Sequence, residues 1–134
     1  MALLAPAAFL TIVRRLRPQA APSVQAGVAM AIAEWENNAN QTGTFDTTKK
    51  NPTSSATGIW QILDGSMAYY GVDYATRLDA VASTEGALRA LERYATIIDA
   101  ADPQVAADER AALVYFGHSE GGGALRAGVA RPTP

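Results

Sequence analysis

The 134-residue chain contains no cysteine. Disulfides and thiolate metal sites are thereby excluded, and the redox compartment is left open. It contains one histidine, His118, whereas zinc and copper sites usually draw on two or more His or Cys ligands. No metal and no other cofactor is expected. Charge is scarce and nearly balanced, 11 basic against 13 acidic residues for a formal net of −2. Nucleic-acid binding calls for a basic stripe that neutralises phosphates, so no nucleic-acid partner is expected. The apolar stretch in residues 1–17 is shorter than the roughly 20 residues that span a bilayer. Its arginines, Arg14, Arg15 and Arg17, follow the apolar run, the reverse of a secretory signal. Neither a stable membrane span nor a clear signal peptide is expected. Gly121-Gly122-Gly123 lacks the Lys-Ser/Thr of a phosphate loop, and no alternating Asp calcium loop occurs. No G-x-S-x-G precedes His118, which removes support for a serine hydrolase.

What is present suits one domain with one core, since 49% of the residues are apolar. Pro6 opens a helix with Phe9, Ile12, Val13 and Leu16 as its stripe, and residues 1–21 read as an apolar and basic helix followed by a linker. That helix docks on the core or on a partner, with a membrane-surface role or an atypical export signal as the remaining alternatives. Pro22-Ser23 reads as the start of the next helix. Val24, Val28, Ile32 and Trp35 recur at spacings of three and four along it. Residues 38–57 are polar and turn-forming except for Phe45, with at most one small β-hairpin expected in residues 42–57. An apolar pattern resumes at 58–63, where another helix is expected to start. A long helical pattern follows from Asp79 to Asp99, capped by Asp79 or Ser83, with Leu88, Leu91, Tyr94 and Ile98 on one side. The last sizeable helix runs from Val105 to Phe116, with Leu113 and Phe116 inward. Residues 118–123 read as a flexible elbow, 124–129 as a final turn of helix, and 131–134 as a tail. The fold class is mainly α.

Residues 34–63 draw attention because a polar loop of that length is uncommon in so small a chain. Glu36 lies four residues after Ile32 and eight after Val28, at the edge of the apolar face. A carboxyl at such a margin is partly desolvated, which favours its neutral form and raises its pKa. A general acid working near neutral pH needs that condition. The plain alternative is a solvated Glu near a helix end. Trp35 and Trp60 are expected in the core rather than as sugar platforms, and so are two of Tyr69, Tyr70 and Tyr115.

Glu36, the polar loop and the segment Asn51-Pro52-Thr53-Ser54-Ser55-Ala56-Thr57-Gly58-Ile59-Trp60-Gln61-Ile62 together resemble the lysozyme-like lytic transglycosylases, especially forms associated with phage particles. The family carries a glutamate at the end of a core helix, then a loop, then a segment close to N-P-x-S-x-A-x-G-hydrophobic-aromatic-Q. Where the family has Glu-Ser, this chain has Glu36-Asn37. Residues 115–124, Tyr115-Phe116-Gly117-His118-Ser119-Glu120-Gly121-Gly122-Gly123-Ala124, resemble more loosely the family's late aromatic segment that lines the sugar cleft. The resemblance covers residues 22–130 and implies a lysozyme-like catalytic domain there.

It implies cleavage of the β-1,4 bond between N-acetylmuramic acid and N-acetylglucosamine in peptidoglycan glycan strands, with Glu36 as general acid and base. A transglycosylase needs no second carboxylate, because the muramic acid C6 hydroxyl closes on C1. An inverting hydrolase needs one about 6.5–9.5 Å away to activate water. Asp46 is the candidate in the polar loop, with a solvated turn Asp as the plain alternative. Ser55, Gly58, Gln61, Tyr115 and His118 are the expected substrate-binding residues. Gln61 is equally readable as a structural amide, and His118 as a capping or surface residue. The resemblance further implies a virion or phage-tail component, delivered to the cell wall or periplasm, with residues 1–21 available to virion or tail proteins. The competing expectation is a non-catalytic structural or ejection component that keeps the fold. A helical module unrelated to sugar is the third.

Overall fold

The computed structural model describes residues 2–19 and 26–130. The expected helix start at Pro22-Ser23, the stripe position Val24 and the tail at 131–134 lie outside those residues. The described residues are mainly helical, with one two-stranded antiparallel sheet. β1 is Leu3–Leu4 and β2 is Phe45–Asp46. The helices are α1 (Pro6–Leu16), α2 (Ala26–Asn37), α3 (Ala39–Thr42), α4 (Met67–Tyr70), α5 (Ala80–Ala101), α6 (Ala107–Glu120) and α7 (Gly122–Ala130). No described helix is long and apolar enough to cross a membrane.

The fold is built on α5. Asp79 caps it, its carboxylate accepting from the Ala82 amide at 2.7 Å, which pairs one of the donors a helix start leaves free. Leu88, Leu91, Tyr94, Ala95 and Ile98 form its buried face. α6 crosses it at Gly117, where a Cβ would sit 2.7 Å from Cγ of Tyr94. Only the bare backbone lets the two helices approach that closely. This contact corrects the expected phase of α6. Val114 and Gly117 are its buried residues, Leu113 is half-buried, and Phe116 is 39% exposed. The expected elbow at 118–123 is also narrower. Residues 118–120 complete α6, the bend is confined to Gly121, and α7 then buries Leu125.

α1 is docked on this frame. Pro6 occupies its first turn, where no amide is lost, and Arg14 and Arg15 stand in its last turn. Phe9 and Val13 are buried in the common core, which contributes about 3–6 kcal/mol before ordering entropy is charged against it. Arg17 then forks across α5, reaching Glu85 at 2.9 Å and Glu92 at 2.8 Å. Phe9 stacks on Phe45 at 4.4 Å and lies 5.9 Å from Trp60. This aromatic trio explains the sheet. Within the region of the expected hairpin a strand forms at 45–46, but its partner is Leu3–Leu4, and the pairing inside 42–57 is an isolated antiparallel bridge between Lys50 and Thr57. Burying Phe45 against Phe9 draws the two short strands together.

α2 differs from expectation in phase. Ala29, Ile32, Ala33 and Asn37 are its buried residues, while Val28 is half-buried and Trp35 is 66% exposed. Ala29 and Ala33 form the tight face with Ile32, and Trp35 turns outward. Trp60, by contrast, is fully buried, and its indole N–H donates to Thr84 Oγ1 at 3.2 Å. No helix starts at 58–62. The segment is a tight turn in which Thr57 and Ile62 exchange both backbone hydrogen bonds, at 3.2 and 3.1 Å. Gly58 enters it at φ +87°, with the Arg77 carbonyl packed where a Cβ would stand. Arg77 is buried and fastens the same turn, donating to the carbonyls of Ser55 (3.2 Å) and Ile62 (3.0 Å) and pairing with Asp64 at 2.8 Å.

Asn37 joins these parts. Its Nδ2 donates to the carbonyls of Asp46 (2.9 Å) and Gly58 (3.2 Å), and its Oδ1 accepts from the Asp46 amide at 2.7 Å. One buried amide thus ties the end of α2 to β2 and to the Trp60 turn. Asn37→Ala leaves the Asp46 amide and carbonyl without this partner, while the Gly58 carbonyl keeps its bond from Gln61 (2.8 Å). A loss of about 2–4 kcal/mol in urea unfolding is expected, together with faster amide exchange at residues 45–58.

Candidate active site

Between the end of α2, the 49–63 segment, α4 and the end of α6 lies a cleft of about 450 Å³. Glu36, Lys49, Asn51, Gln61, Tyr70, Tyr94, His118 and Glu120 stand on its walls. Each is positioned by the frame just described. Glu36 comes from the last turn of α2, immediately before the Asn37 clamp. The Lys49 backbone is fixed because its carbonyl accepts from the Gly58 amide (2.8 Å) and from Gln61 Nε2 (3.2 Å). Asn51 closes a local turn, its Oδ1 accepting from the amide and the hydroxyl of Thr53, each at 2.9 Å.

Glu36 is partly buried, and that burial raises its pKa above the ordinary 4.5, while the nearby Lys49 ammonium acts in the opposite sense. The carbonyls of the last turn of α2 also disfavour a negative charge there. The site therefore favours a carboxyl that keeps its proton beyond the usual carboxylate range.

In the lining of the cleft, three rings are joined by hydrogen bonds. The Tyr70 hydroxyl lies 2.6 Å from His118 Nδ1 and 3.4 Å from the Tyr94 hydroxyl. His118 Nε2 lies 3.1 Å from the Trp60 carbonyl. Burial pushes the His118 pKa down to about 4, against a smaller opposing effect of the Trp60 carbonyl bond. The Tyr70 phenol is raised, first by burial and then by the neighbouring Tyr94. Both rings are neutral at pH 7.

Of the residues expected from sequence, Glu36, Gln61 and His118 meet in this cleft. Gln61 is held at φ +52°, and its Nε2 is spent on the Lys49 and Gly58 carbonyls. Asp46 does not line the cleft. Its Oδ1 accepts from the amide and hydroxyl of Thr48, each at 3.0 Å, so it is a turn-stabilising Asp and not a partner for Glu36. Ser55 also stands behind the wall, its hydroxyl accepting from the Asp64 amide at 2.9 Å. Gly58 is buried and shapes the turn. Tyr115 lines a different space, an apolar groove of about 500 Å³ with Val28, Ile32 and Trp35.

Sequence reasoning passed over Lys49, Tyr94 and Glu120. Lys49 sits in a run of two lysines with no periodic signal. Tyr94 falls on the core stripe of α5 yet also lines the cleft. The available signal was Tyr70 itself, a tyrosine that needs a hydroxyl partner once buried.

The raised pKa of Glu36 has a stability consequence. The folded state holds this proton more tightly than the unfolded chain, so the protonated carboxyl's contribution is fully present below pH 4.5 and is lost as pH rises through the folded-state value. Glu36→Gln removes the ionisation. Its melting temperature is expected to exceed that of the wild type at pH 7, with the gap closing below pH 4.5 in a thermal-melt series. No protein-family model, curated protein or solved structure matches the chain.

Proposed function

We propose that the protein is a peptidoglycan lytic transglycosylase in which Glu36 acts as both acid and base. The observation that carries this reading is the position of Glu36: a partly buried carboxyl with a raised pKa, on the wall of a cleft lined by amide, phenol and imidazole groups. Neutral Glu36 protonates the glycosidic oxygen as the bond to C1 breaks. Charge develops on the sugar ring as the carboxylate forms beside it. That carboxylate then takes the proton of the muramic acid C6 hydroxyl, whose oxygen closes on C1 to give the 1,6-anhydro product. Lys49 assists the middle of this cycle, because its ammonium favours the carboxylate that burial disfavours.

Attack by the sugar's own hydroxyl is preferred to attack by water because Asp46 is engaged with Thr48 and lies outside the cleft. Glu120 is the other carboxylate on the cleft wall. Digestion of purified peptidoglycan, followed by mass spectrometry of the muropeptides, tests the reading. Anhydro-muramyl ends are expected from the wild type and a loss of at least about a hundredfold in rate from Glu36→Gln. Reducing ends mean a hydrolase and make Glu120 the carboxylate to vary. No products from folded wild type overturn the enzyme reading and leave a non-catalytic particle component that keeps the fold. A place in a phage or phage-like particle, and contacts to virion or tail proteins through residues 1–21, belong to the same proposal. Their support is the resemblance in residues 22–130.

The pH profile gives a separate check. Activity needs protonated Glu36 and falls as pH rises through its pKa. Lys49→Met removes the cation that lowers that pKa. The basic limb of the rate profile is expected to move to higher pH, and a limb that stays in place means that Lys49 does not act on Glu36.

A further inference from the structure

The ring network that lines the cleft with Glu36 has a fixed polarity, set by one acceptor and a neutral imidazole. The Trp60 carbonyl can only accept, so His118 Nε2, 3.1 Å away, must carry a hydrogen. The imidazole is neutral, so Nδ1 is then bare and can only accept. Tyr70, 2.6 Å from Nδ1, must be the donor of that bond. A phenol has one proton. With it committed to His118, the Tyr70 oxygen can only accept from every other neighbour, and the Tyr94 hydroxyl at 3.4 Å is placed to donate to it. Tyr70 is buried yet lines the cleft. Tyr70 thus brings an acceptor-only hydroxyl to the lining of the cleft that also holds Glu36.

We propose that the Tyr70 hydroxyl oxygen is an acceptor-only contact for an N–H or O–H donor of the bound glycan, and that His118 is the positioning residue that fixes this polarity. The inference rests on the transglycosylase reading for its ligand, and the chain from Trp60 to Tyr70 rests on hydrogen-bond geometry together with the neutral ring that burial gives His118. Amino sugars offer matching donors in their acetamido N–H and free hydroxyls. An ether or ester oxygen at the same place meets no donor and is rejected. A neutral protein acceptor also avoids placing a second anion beside the carboxylate that Glu36 becomes.

His118 is the only histidine in the sequence, so its ring gives one set of imidazole nitrogen resonances. Long-range nitrogen–proton correlation of the histidine-labelled full chain at pH 7 is expected to show Nε2–H and a bare Nδ1. The Nδ1 resonance is expected to move towards that of an unbonded acceptor in Tyr70→Phe. The Nδ1–H tautomer overturns the proposal. Binding is then measured by calorimetry with a purified tetrasaccharide of alternating N-acetylglucosamine and N-acetylmuramic acid. Glu36→Gln is the uncleaving background. Adding Tyr70→Phe is expected to weaken binding about tenfold. Adding His118→Phe, which keeps an aromatic ring but frees the Tyr70 proton, is expected to weaken it severalfold. Equal affinity across the three overturns the proposal while leaving the enzyme reading intact, because cleavage by wild type is scored separately. No binding at all by a folded Glu36→Gln variant overturns it as well. Chemical denaturation of each variant separates lost contact from lost fold.

Discussion

The site depends on one buried amide. Asn37 follows Glu36 in sequence, and its three hydrogen bonds tie α2 to β2 and to the Gly58 carbonyl. A side-chain amide suits this task because it donates and accepts at once, matching a backbone amide and two carbonyls with no net charge. A hydroxyl has only one donor and cannot reach both strands of the loop in the same way. In this chain position 37 supports the walls, and the acid is governed by burial, helix end and Lys49.

The walls themselves are held by opposing kinds of interaction. On one side Arg77 binds two carbonyls and Asp64 from a buried position, so a cation reinforces the Thr57–Ile62 backbone pairing of the turn at 55–64. On the other side neutral rings share protons in a single direction. Fixed dipoles of this sort need little rearrangement when charge develops in the cleft. The cleft thus combines a carboxyl of adjustable charge with surroundings whose own charges are already paired or absent, apart from Lys49 and Glu120.

Much of the frame was legible in the sequence, and the reasons are local. Pro6, the Asp79 cap and the Leu88–Leu91–Tyr94–Ile98 spacing all act within one helix, where periodicity reports burial directly. Glu36 at the rim of α2 was legible for the same reason. The errors arose where a distant partner decides. Trp35 lies outward because alanines, not the bulky stripe, make the close face of α2. The strand at 45–46 pairs with residues 3–4 because Phe9 buries Phe45, a contact no window around residue 45 contains. Ser55 and Gly58 fall within a motif, but their polar groups are absorbed by Asp64 and Asn37, and the Asp46 carboxylate is taken up by Thr48. A motif names residue types; the hydrogen-bond partners decide which of them face the ligand.

The pairing of β1 with β2 has a consequence for the order in which the cleft is assembled. Residues 2–17 are made early, yet their partners are Phe45, Trp60, Glu85 and Glu92. Contacts so far apart in sequence are slow to form, since long loops must close first. During synthesis the helix of residues 6–16 waits, apolar face uncovered, until most of α5 has been made. The wall that positions Glu36 against the Trp60 turn is then a late product of folding, and the apolar face of residues 6–16 is where a chaperone would be needed most.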